Sequence, residues 1–311
     1  MQSPQLQFLP VTGPLNRDGA PRRLAYWDWP CQSGADAAQV VIAVHGLTRQ
    51  GRDFDVLAQA LTPRARVLAV DVAGRGHSDW LADPMLYQVP TYAADLAQLV
   101  AHLRAQNPAV VIDWVGTSMG GLIGLALASQ PALAPRRLVL NDVGPVIQWA
   151  ALQRIATYVG RHMCFDSEQA AFDHMAQISA GFGPHTPQQW AALSRPMLRQ
   201  REGQWCLHYD PAIGEPLRAL TARTDEDAVH QSLREGEAAL WAAYDAIRCP
   251  TLLLRGADSD LLTRETAREM GQRGPRATCV EFEGVGHAPT LVSDDQVDAV
   301  RQFLWSEPAA A

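Results

Sequence analysis

The sequence predicts an α/β protein with a mostly parallel sheet and one helical insertion. Short apolar runs alternate along much of the chain with stretches whose apolar residues recur at helical spacing. The runs are continuously apolar, as in strands covered on both faces, and parallel strands need the crossover helices that the pattern supplies. The alternation stops at residue 146 and resumes at 246. This divides the chain into a core formed by 1–145 and 246–311 and an insertion at 146–245.

Four apolar runs predict the strands of the first core segment, at 40–44, 67–72, 110–115 and 138–140. Helices are expected after the first three runs, at 52–61, from the capping residue Thr91 onward, and at 119–129. A strand that is followed by a helix and then by another strand is typical of parallel pairing, so this segment predicts one continuous sheet.

The insertion shows helical patterns and no convincing buried strand. Helices are expected at 149–161, 168–179, 188–200 and 227–244. Aromatic residues are concentrated here, and we expect Tyr158, Phe172 and Trp190 to line an apolar pocket. The alternative is that these three side chains only pack the interior of the insertion.

The second core segment resumes the strand and helix pattern. Strands are expected at 251–254 and 278–282, with a helix at 264–270 between them. A last helix is expected to begin at Ser293, whose hydroxyl forms a capping-box pattern with Gln296.

Composition excludes several classes of protein. The 311 residues are 47% hydrophobic and 19% charged, as in globular domains rather than disordered chains. The chain has 26 basic and 33 acidic residues, a net charge of −7, and so lacks the basic field of a nucleic-acid-binding domain. No apolar run approaches the roughly 18 residues that span a bilayer, and the first 16 residues lack a signal-peptide pattern. The expected location is the cytoplasm, with neither nucleic acid nor membrane as a partner.

The five cysteines are widely spaced and include no C-x-x-C pair; they are Cys31, Cys164, Cys206, Cys249 and Cys279. This spacing argues against a disulfide scaffold and against a zinc cluster, so we expect reduced thiols. No H-E-x-x-H motif or spaced ligand set is present, and no metal is expected. The oligomeric state stays open, with a homodimer among the alternatives.

The strongest functional motif is Gly-Thr-Ser-Met-Gly-Gly at 116–121. It follows an apolar strand and opens a helix, which is the context of the G-x-S-x-G nucleophile elbow. Ser118 must occupy a sharply turned backbone, and Gly116 and Gly120 give the room that this turn needs. The sequence therefore predicts Ser118 as a nucleophile.

A serine hydroxyl needs a base, and a carboxylate must orient that base. His287 follows the last predicted strand and is the candidate base. Three aspartates follow neighbouring strands and compete for the role of the acid. We favour Asp260, then Asp142, then Asp258.

Two further loops follow strands at the same edge of the sheet. The backbone amide of Leu47 is expected to pair with that of Met119 as an oxyanion hole, and His45 is expected to brace the loop. The Gly-rich turn at 71–78 lacks both the Walker lysine and a dinucleotide motif, so we expect a structural loop that borders the site.

Taken in order, these motifs resemble the α/β-hydrolase superfamily. The residues that carry the resemblance are His45-Gly46, 71–78, 116–121, 255–260 and Gly286-His287. The resemblance covers nearly the whole chain. It implies the α/β-hydrolase fold, with a mostly parallel eight-stranded sheet, a helical lid at 146–245 and a Ser–His–acid triad without a cofactor.

One position departs from the family pattern. Many members place the triad acid three residues after the strand-ending glycine, where this chain has Ser259. Esterase branches with a serine there take the acid from the end of the preceding strand, the position of Asp142. The departure keeps the identity of the acid open.

The resemblance implies a serine hydrolase but does not fix its substrate. The preferred hypothesis is a carboxylesterase that acts on small to medium esters through an acyl-enzyme, with a small-molecule ester as its partner. Ser118 excludes the branches that use an aspartate nucleophile. A C–C bond hydrolase of aromatic ring-cleavage products, or a lactonase, would reuse the same residues. A non-catalytic ligand receptor on the same fold is a hypothesis from a different class. The sequence does not separate these alternatives, because selectivity lies in the insertion.

Overall fold

The computed structural model describes residues 3–33 and 38–306. Its core is an eight-stranded sheet whose strands are β1 Gln5–Val11, β2 Arg22–Trp29, β3 Gln39–Val44, β4 Arg66–Asp71, β5 Val111–Thr117, β6 Arg137–Asn141, β10 Thr251–Gly256 and β11 Thr278–Phe282. Their order in the sheet is β1-β2-β4-β3-β5-β6-β10-β11. Pairs β1–β2 and β2–β4 are antiparallel and the other five are parallel. The parallel strands end at one edge, where the predicted motifs follow them.

Helices cover both faces of the sheet, and the core helices are α1 Asp55–Leu61, α2 Val89–Gln106, α3 Met119–Ala128, α9 Arg264–Met270 and α10 Asp294–Trp305. Buried side chains of α2, α3 and α9 belong to one apolar cluster, and those of α1 and α10 belong to a second cluster on the other face. Burial on both faces explains why the central strands are continuously apolar.

The core strands predicted from apolar runs are confirmed, with shifts at their ends. The antiparallel strands β1 and β2 were not predicted, since polar residues interrupt their apolar pattern. The expected cap at Thr91 is wrong, because α2 begins two residues earlier, at Val89. The predicted capping box is also wrong: the Gln296 side chain accepts a hydrogen bond from the Leu291 amide, 2.8 Å away, rather than from Ser293.

The segment between β6 and β10 contains five helices and a small sheet. The helices are α4 Trp149–Ala156, α5 Glu168–Ile178, α6 Pro187–Ser194, α7 Glu215–Thr221 and α8 Glu226–Ala246. The strands β7 Cys164–Phe165, β8 Leu198–Arg201 and β9 Gln204–Leu207 form an antiparallel sheet in the order β7-β9-β8. The sequence predicted no convincing buried strand here, and strands of two to four residues are too short to show periodicity. The helix predicted at 188–200 is wrong at its end, because α6 stops at Ser194 and β8 follows.

A disulfide joins Cys164 and Cys206, which are directly opposite each other in the β7–β9 pair. The expectation of reduced thiols is wrong for this pair. The two residues are 42 positions apart in sequence, and only the pairing of the short strands brings them together.

Candidate active site

Ser118 lies at the turn between β5 and α3. Its backbone has φ 51° and ψ −115°, a strained conformation for a residue with a side chain. Two glycines make this turn feasible. A Cβ on Gly116 would lie 2.2 Å from the Gly120 carbonyl oxygen, and one on Gly120 would lie 2.0 Å from the Val44 carbonyl oxygen. The turn therefore packs closely against β3 at Gly120 and places the Ser118 hydroxyl at the edge of the sheet.

His287 lies between Ser118 and Asp142. Its Nε2 is 2.9 Å from Ser118 Oγ, and its Nδ1 is 2.7 Å from Asp142 Oδ2. The imidazole is 17% exposed and the carboxylate is fully buried. The three side chains come from the ends of β5, β6 and β11, so the sheet brings together residues up to 169 positions apart.

The Asp142 carboxylate is fixed by further donors. Its Oδ1 accepts a hydrogen bond from the Gly256 amide at 3.0 Å, and its Oδ2 accepts one from Ser259 Oγ at 2.6 Å. The residue has a left-handed backbone, with φ 56°, and its own amide donates to the Leu254 carbonyl. These contacts hold the buried carboxylate in place beside His287.

The structure corrects the preference for Asp260 as the acid. Asp260 is exposed and forms an ion pair with Arg154 at 2.7 Å. Asp258 is also exposed, on the same loop. Ser259 lies between them and donates its hydroxyl hydrogen bond to Asp142, while the side chains of Asp258 and Asp260 face solvent. The arrangement brings His287 together with Asp142, the second-ranked candidate.

Leu47 and Met119 lie on either side of Ser118. Leu47 lines the cavity above the serine, and Met119 is the first residue of α3. Among the described residues, neither backbone amide has a protein acceptor, as an oxyanion hole requires. The buried Arg75 contacts both residues: its Nε donates to the Leu47 carbonyl at 2.8 Å, and its guanidinium lies 3.8 Å from the Met119 sulfur.

The neighbouring loops are braced by buried polar groups. His45 Nδ1 lies 2.7 Å from the Gly46 carbonyl oxygen and its Nε2 accepts from the Val72 amide, which agrees with the expected bracing role. Burial lowers the pKa of His45 to about 3, so the ring is neutral. Asp71 accepts from the amides of Gly51 and His77, and burial raises its pKa to about 6. The 71–78 turn is thus a structural loop.

A cavity of about 360 Å³ opens over Ser118 and His287. The segment at 146–245 forms its far wall. Of the three aromatics predicted to line it, Tyr158 does so. Phe172 and Trp190 do not: Phe172 packs near Arg195 and Trp190 packs against His185. The other aromatic residues that line the cavity are Phe182 and Tyr209. Apolar residues also line it, and these include Met163, Met175, Met197 and Leu207.

Sequence reasoning missed the supporting residues. Gly256 was recognised only as the glycine that ends a strand, and Arg75 only as part of a turn. Ser259, at the position where many family members place the acid, is the one signal that pointed to Asp142. The role of Arg75 carried no sequence signal, because it depends on contacts between separate loops.

No cluster of three or more His, Cys, Asp or Glu side chains suited to a metal occurs within residues 3–33 and 38–306. In the same part of the chain, no helix combines the length and apolar composition that crossing a bilayer requires.

Comparison with known proteins places these features in a family. The family model described as "Alpha/beta hydrolase family" matches residues 41–302. A 3-hydroxybutyrate-oligomer hydrolase of Cupriavidus necator is 43% identical over 306 residues, covering 97% of this chain and 98% of the relative. An esterase of Mycobacterium tuberculosis is 29% identical, covering 86% and 82%. The crystal structure of an alpha/beta hydrolase from Novosphingobium aromaticivorans superposes with a TM-score of 0.79 at 31% identity, covering 98% and 99%.

Proposed function

The chain belongs to the alpha/beta hydrolase family and is a carboxylic ester hydrolase, and from that premise we propose its catalytic residues and its substrate class. The proposed catalytic set is Ser118, His287 and Asp142, with the amides of Leu47 and Met119 as the oxyanion hole. The proposed substrates are short linear esters of 3-hydroxybutyrate. The observation that carries the proposal is the row of hydrogen bonds from Ser118 Oγ through His287 to Asp142, of 2.9 and 2.7 Å.

In the first half-reaction, Ser118 Oγ attacks the ester carbonyl carbon and His287 Nε2 takes the hydroxyl proton. The carbonyl oxygen becomes an oxyanion between the Leu47 and Met119 amides. Asp142 accepts a hydrogen bond from His287 Nδ1–H and stabilises the imidazolium. The tetrahedral intermediate then collapses. The ester C–O bond breaks, and the departing alkoxide takes the proton from Nε2.

In the second half-reaction, water attacks the acyl group on Ser118 while His287 Nε2 removes a water proton. The second tetrahedral intermediate releases the carboxylic acid, and Ser118 Oγ regains its proton from Nε2. Arg75 supports both steps by fixing the loop that carries Leu47.

The cavity supports the choice of a short hydroxy acid ester. Its volume of about 360 Å³ suits a small molecule, and its walls combine methionine, leucine and aromatic side chains with three arginines. The relative with 43% identity hydrolyses 3-hydroxybutyrate oligomers, as its name states, and matches this chain over almost its whole length. The cytoplasmic location and the homodimer stay predictions from the sequence.

The proposal is tested with the purified protein and with Ser118→Ala. Linear 3-hydroxybutyrate dimer and trimer are incubated with each, and released monomer is quantified by chromatography; p-nitrophenyl butyrate serves as a neutral ester. We expect turnover at enzymatic rates, roughly 1–1000 per second, that falls at least about 10³-fold in Ser118→Ala. Hydrolysis that survives in Ser118→Ala would refute the catalytic set. Hydrolysis of p-nitrophenyl butyrate without hydrolysis of either oligomer would refute the substrate class.

A further inference from the structure

The charged side chains that line the cavity are of one sign. They are Arg49, Arg154 and Arg161. No aspartate or glutamate is among the lining residues that the structure describes. The chain as a whole carries a net charge of −7, so the cationic lining runs against the composition of the protein. A cavity with this lining attracts anions.

Two of the three arginines have carboxylate partners outside the cavity lining. Arg49 lies 2.6 Å from Asp53 and also donates to the Leu193 carbonyl. Arg154 lies 2.7 Å from Asp260. Their charges are largely balanced within the protein itself.

Arg161 differs from both. Within residues 3–33 and 38–306, no carboxylate lies within 4.0 Å of its guanidinium, and its side chain donates no hydrogen bond. The residue is exposed at the cavity wall, where a ligand can reach it. Its guanidinium therefore keeps a full set of donors for an incoming anion.

The backbone that carries Arg161 is held in place. Gly160 adopts a left-handed conformation with φ 72°, and a Cβ there would lie 2.1 Å from the Pro211 carbonyl oxygen. The Tyr209 hydroxyl donates to the Arg161 carbonyl at 3.3 Å. Three residues further on, the disulfide at Cys164 ties the segment to β9. The backbone of Arg161 therefore has a fixed position at the cavity wall.

We infer that the substrates of this cavity carry a free carboxylate and that Arg161 binds it. This inference rests on the proposed function and narrows it. An oligomer of a hydroxy acid has one carboxylate end, which the planar guanidinium can bind through two parallel hydrogen bonds. The apolar residues that line the same cavity, among them Ile155 and Met163, would contact the hydrocarbon part of the substrate. Arg161 is therefore a specificity-determining residue rather than a catalytic one.

The test compares two matched substrates that differ in charge at one end. Linear 3-hydroxybutyrate trimer is used as the free acid and as the terminal carboxamide, which is nearly isosteric and neutral. The measured quantity is the ratio of kcat/KM for the acid to kcat/KM for the amide. It is determined for the wild type, Arg161→Gln and Arg161→Lys. Arg195→Gln is the matched control, since Arg195 lies in the same insertion and pairs with Glu168 away from the cavity lining.

We expect the wild type to prefer the acid, mainly through a lower KM. Arg161→Gln should lower the ratio by about 10- to 100-fold, and Arg161→Lys by less, because lysine keeps the charge but not the paired donors. Arg195→Gln should keep the wild-type ratio. High salt should lower the wild-type ratio by screening.

Equal kcat/KM for acid and amide in the wild type would overturn the inference, as would a ratio that Arg161→Gln leaves unchanged. Failure to hydrolyse the acid would also overturn it. In each of these cases, Ser118-dependent hydrolysis of p-nitrophenyl butyrate would still uphold the catalytic set. Loss of that neutral activity in the wild type would instead overturn the proposed catalysis.

Discussion

At the scale of single residues, the carboxylate that contacts His287 is determined by hydrogen-bond donors rather than by residue type. Asp142 is buried and accepts from Gly256 and Ser259 as well as from the imidazole. Asp260, four residues after Gly256, faces solvent and Arg154. Both are aspartates that follow a strand, so the direction of the loop alone separates them.

Asp142→Asn should lower kcat/KM on p-nitrophenyl butyrate by about 10³- to 10⁴-fold. The amide keeps the shape of the side chain but stabilises the wrong imidazole tautomer and supplies no negative charge. Asp260→Asn is the matched control and should stay within a few-fold of the wild type, because it loses only an exposed ion pair. Steady-state kinetics of both variants provide the test, and a larger loss in Asp260→Asn would contradict the assignment.

Ser259→Ala should lower kcat by about tenfold, with a smaller effect on KM. The substitution removes the 2.6 Å hydrogen bond to Asp142 and leaves the carboxylate less firmly placed against His287. Ser259→Thr retains a hydroxyl and should recover most of the activity. If the alanine and threonine variants were equally impaired, the hydroxyl would not be the group that matters.

At the scale of elements, backbone contacts require glycine at the positions around Ser118, whereas no such contact requires it at Gly236. A side chain at Gly120 would clash with the carbonyl group of Val44 in the neighbouring strand. At Gly236, in the exposed middle of α8, a Cβ would meet nothing within 4 Å. The two positions therefore make opposite predictions for the same substitution.

Gly120→Ala should lower the free energy of unfolding by at least about 2 kcal/mol, because α3 must move away from β3. Gly236→Ala should raise it by about 0.5–1 kcal/mol, since alanine is the better helix residue. Urea denaturation of the two variants and the wild type measures both effects. A Gly120→Ala protein as stable as the wild type would show that the turn is less tight than described.

The core elements were predictable from sequence because long buried strands and amphipathic helices have clear periods. The strand at 278–282 and the helix at 264–270 coincide with β11 and α9. The small sheet of β7, β8 and β9 was not predictable, since its strands are two to four residues long and pair across distant positions. The same limit explains why only part of the candidate site could be predicted. Ser118 and His287 stand in local motifs, but the partner of His287 depends on how two loops face each other.

At the scale of the whole molecule, the buried His45 and the half-buried His208 both lower stability in acid. Burial lowers the pKa of His45 to about 3 and that of His208 to about 4. Both histidines stay neutral in the folded protein at pH 5. In the unfolded chain they bind protons below about pH 6.5, so the free energy of unfolding decreases as the pH is lowered. Asp71, with its pKa raised to about 6, opposes this by gaining a proton in the folded state. At pH 5 His45 costs about 2 kcal/mol and Asp71 offsets about 1 kcal/mol.

The free energy of unfolding should therefore fall between pH 7.5 and pH 5.0, and His208→Gln should show a smaller fall than the wild type. His230→Gln, at an exposed position of α8, should keep the wild-type difference. Chemical denaturation at the two pH values measures each. Stability that rises on acidification would show that the carboxyl groups outweigh the histidines.

The disulfide gives a direct check on the architecture of the insertion. The oxidised protein, denatured without reductant, should titrate as three thiols, those of Cys31, Cys249 and Cys279. After reduction it should titrate as five, the full number in the sequence. Five thiols in protein purified under oxidising conditions would mean that Cys164 and Cys206 are not bonded.

The central claim is that Ser118 is the nucleophile of an ester hydrolase, and covalent labelling tests it most directly. The purified protein is treated with a fluorophosphonate, digested and mapped by mass spectrometry while hydrolysis of p-nitrophenyl butyrate and of the 3-hydroxybutyrate trimer is followed. We predict one label per chain on the peptide that contains Ser118, with both activities lost in proportion to labelling. A label on another residue, or full activity in completely labelled protein, would contradict the account.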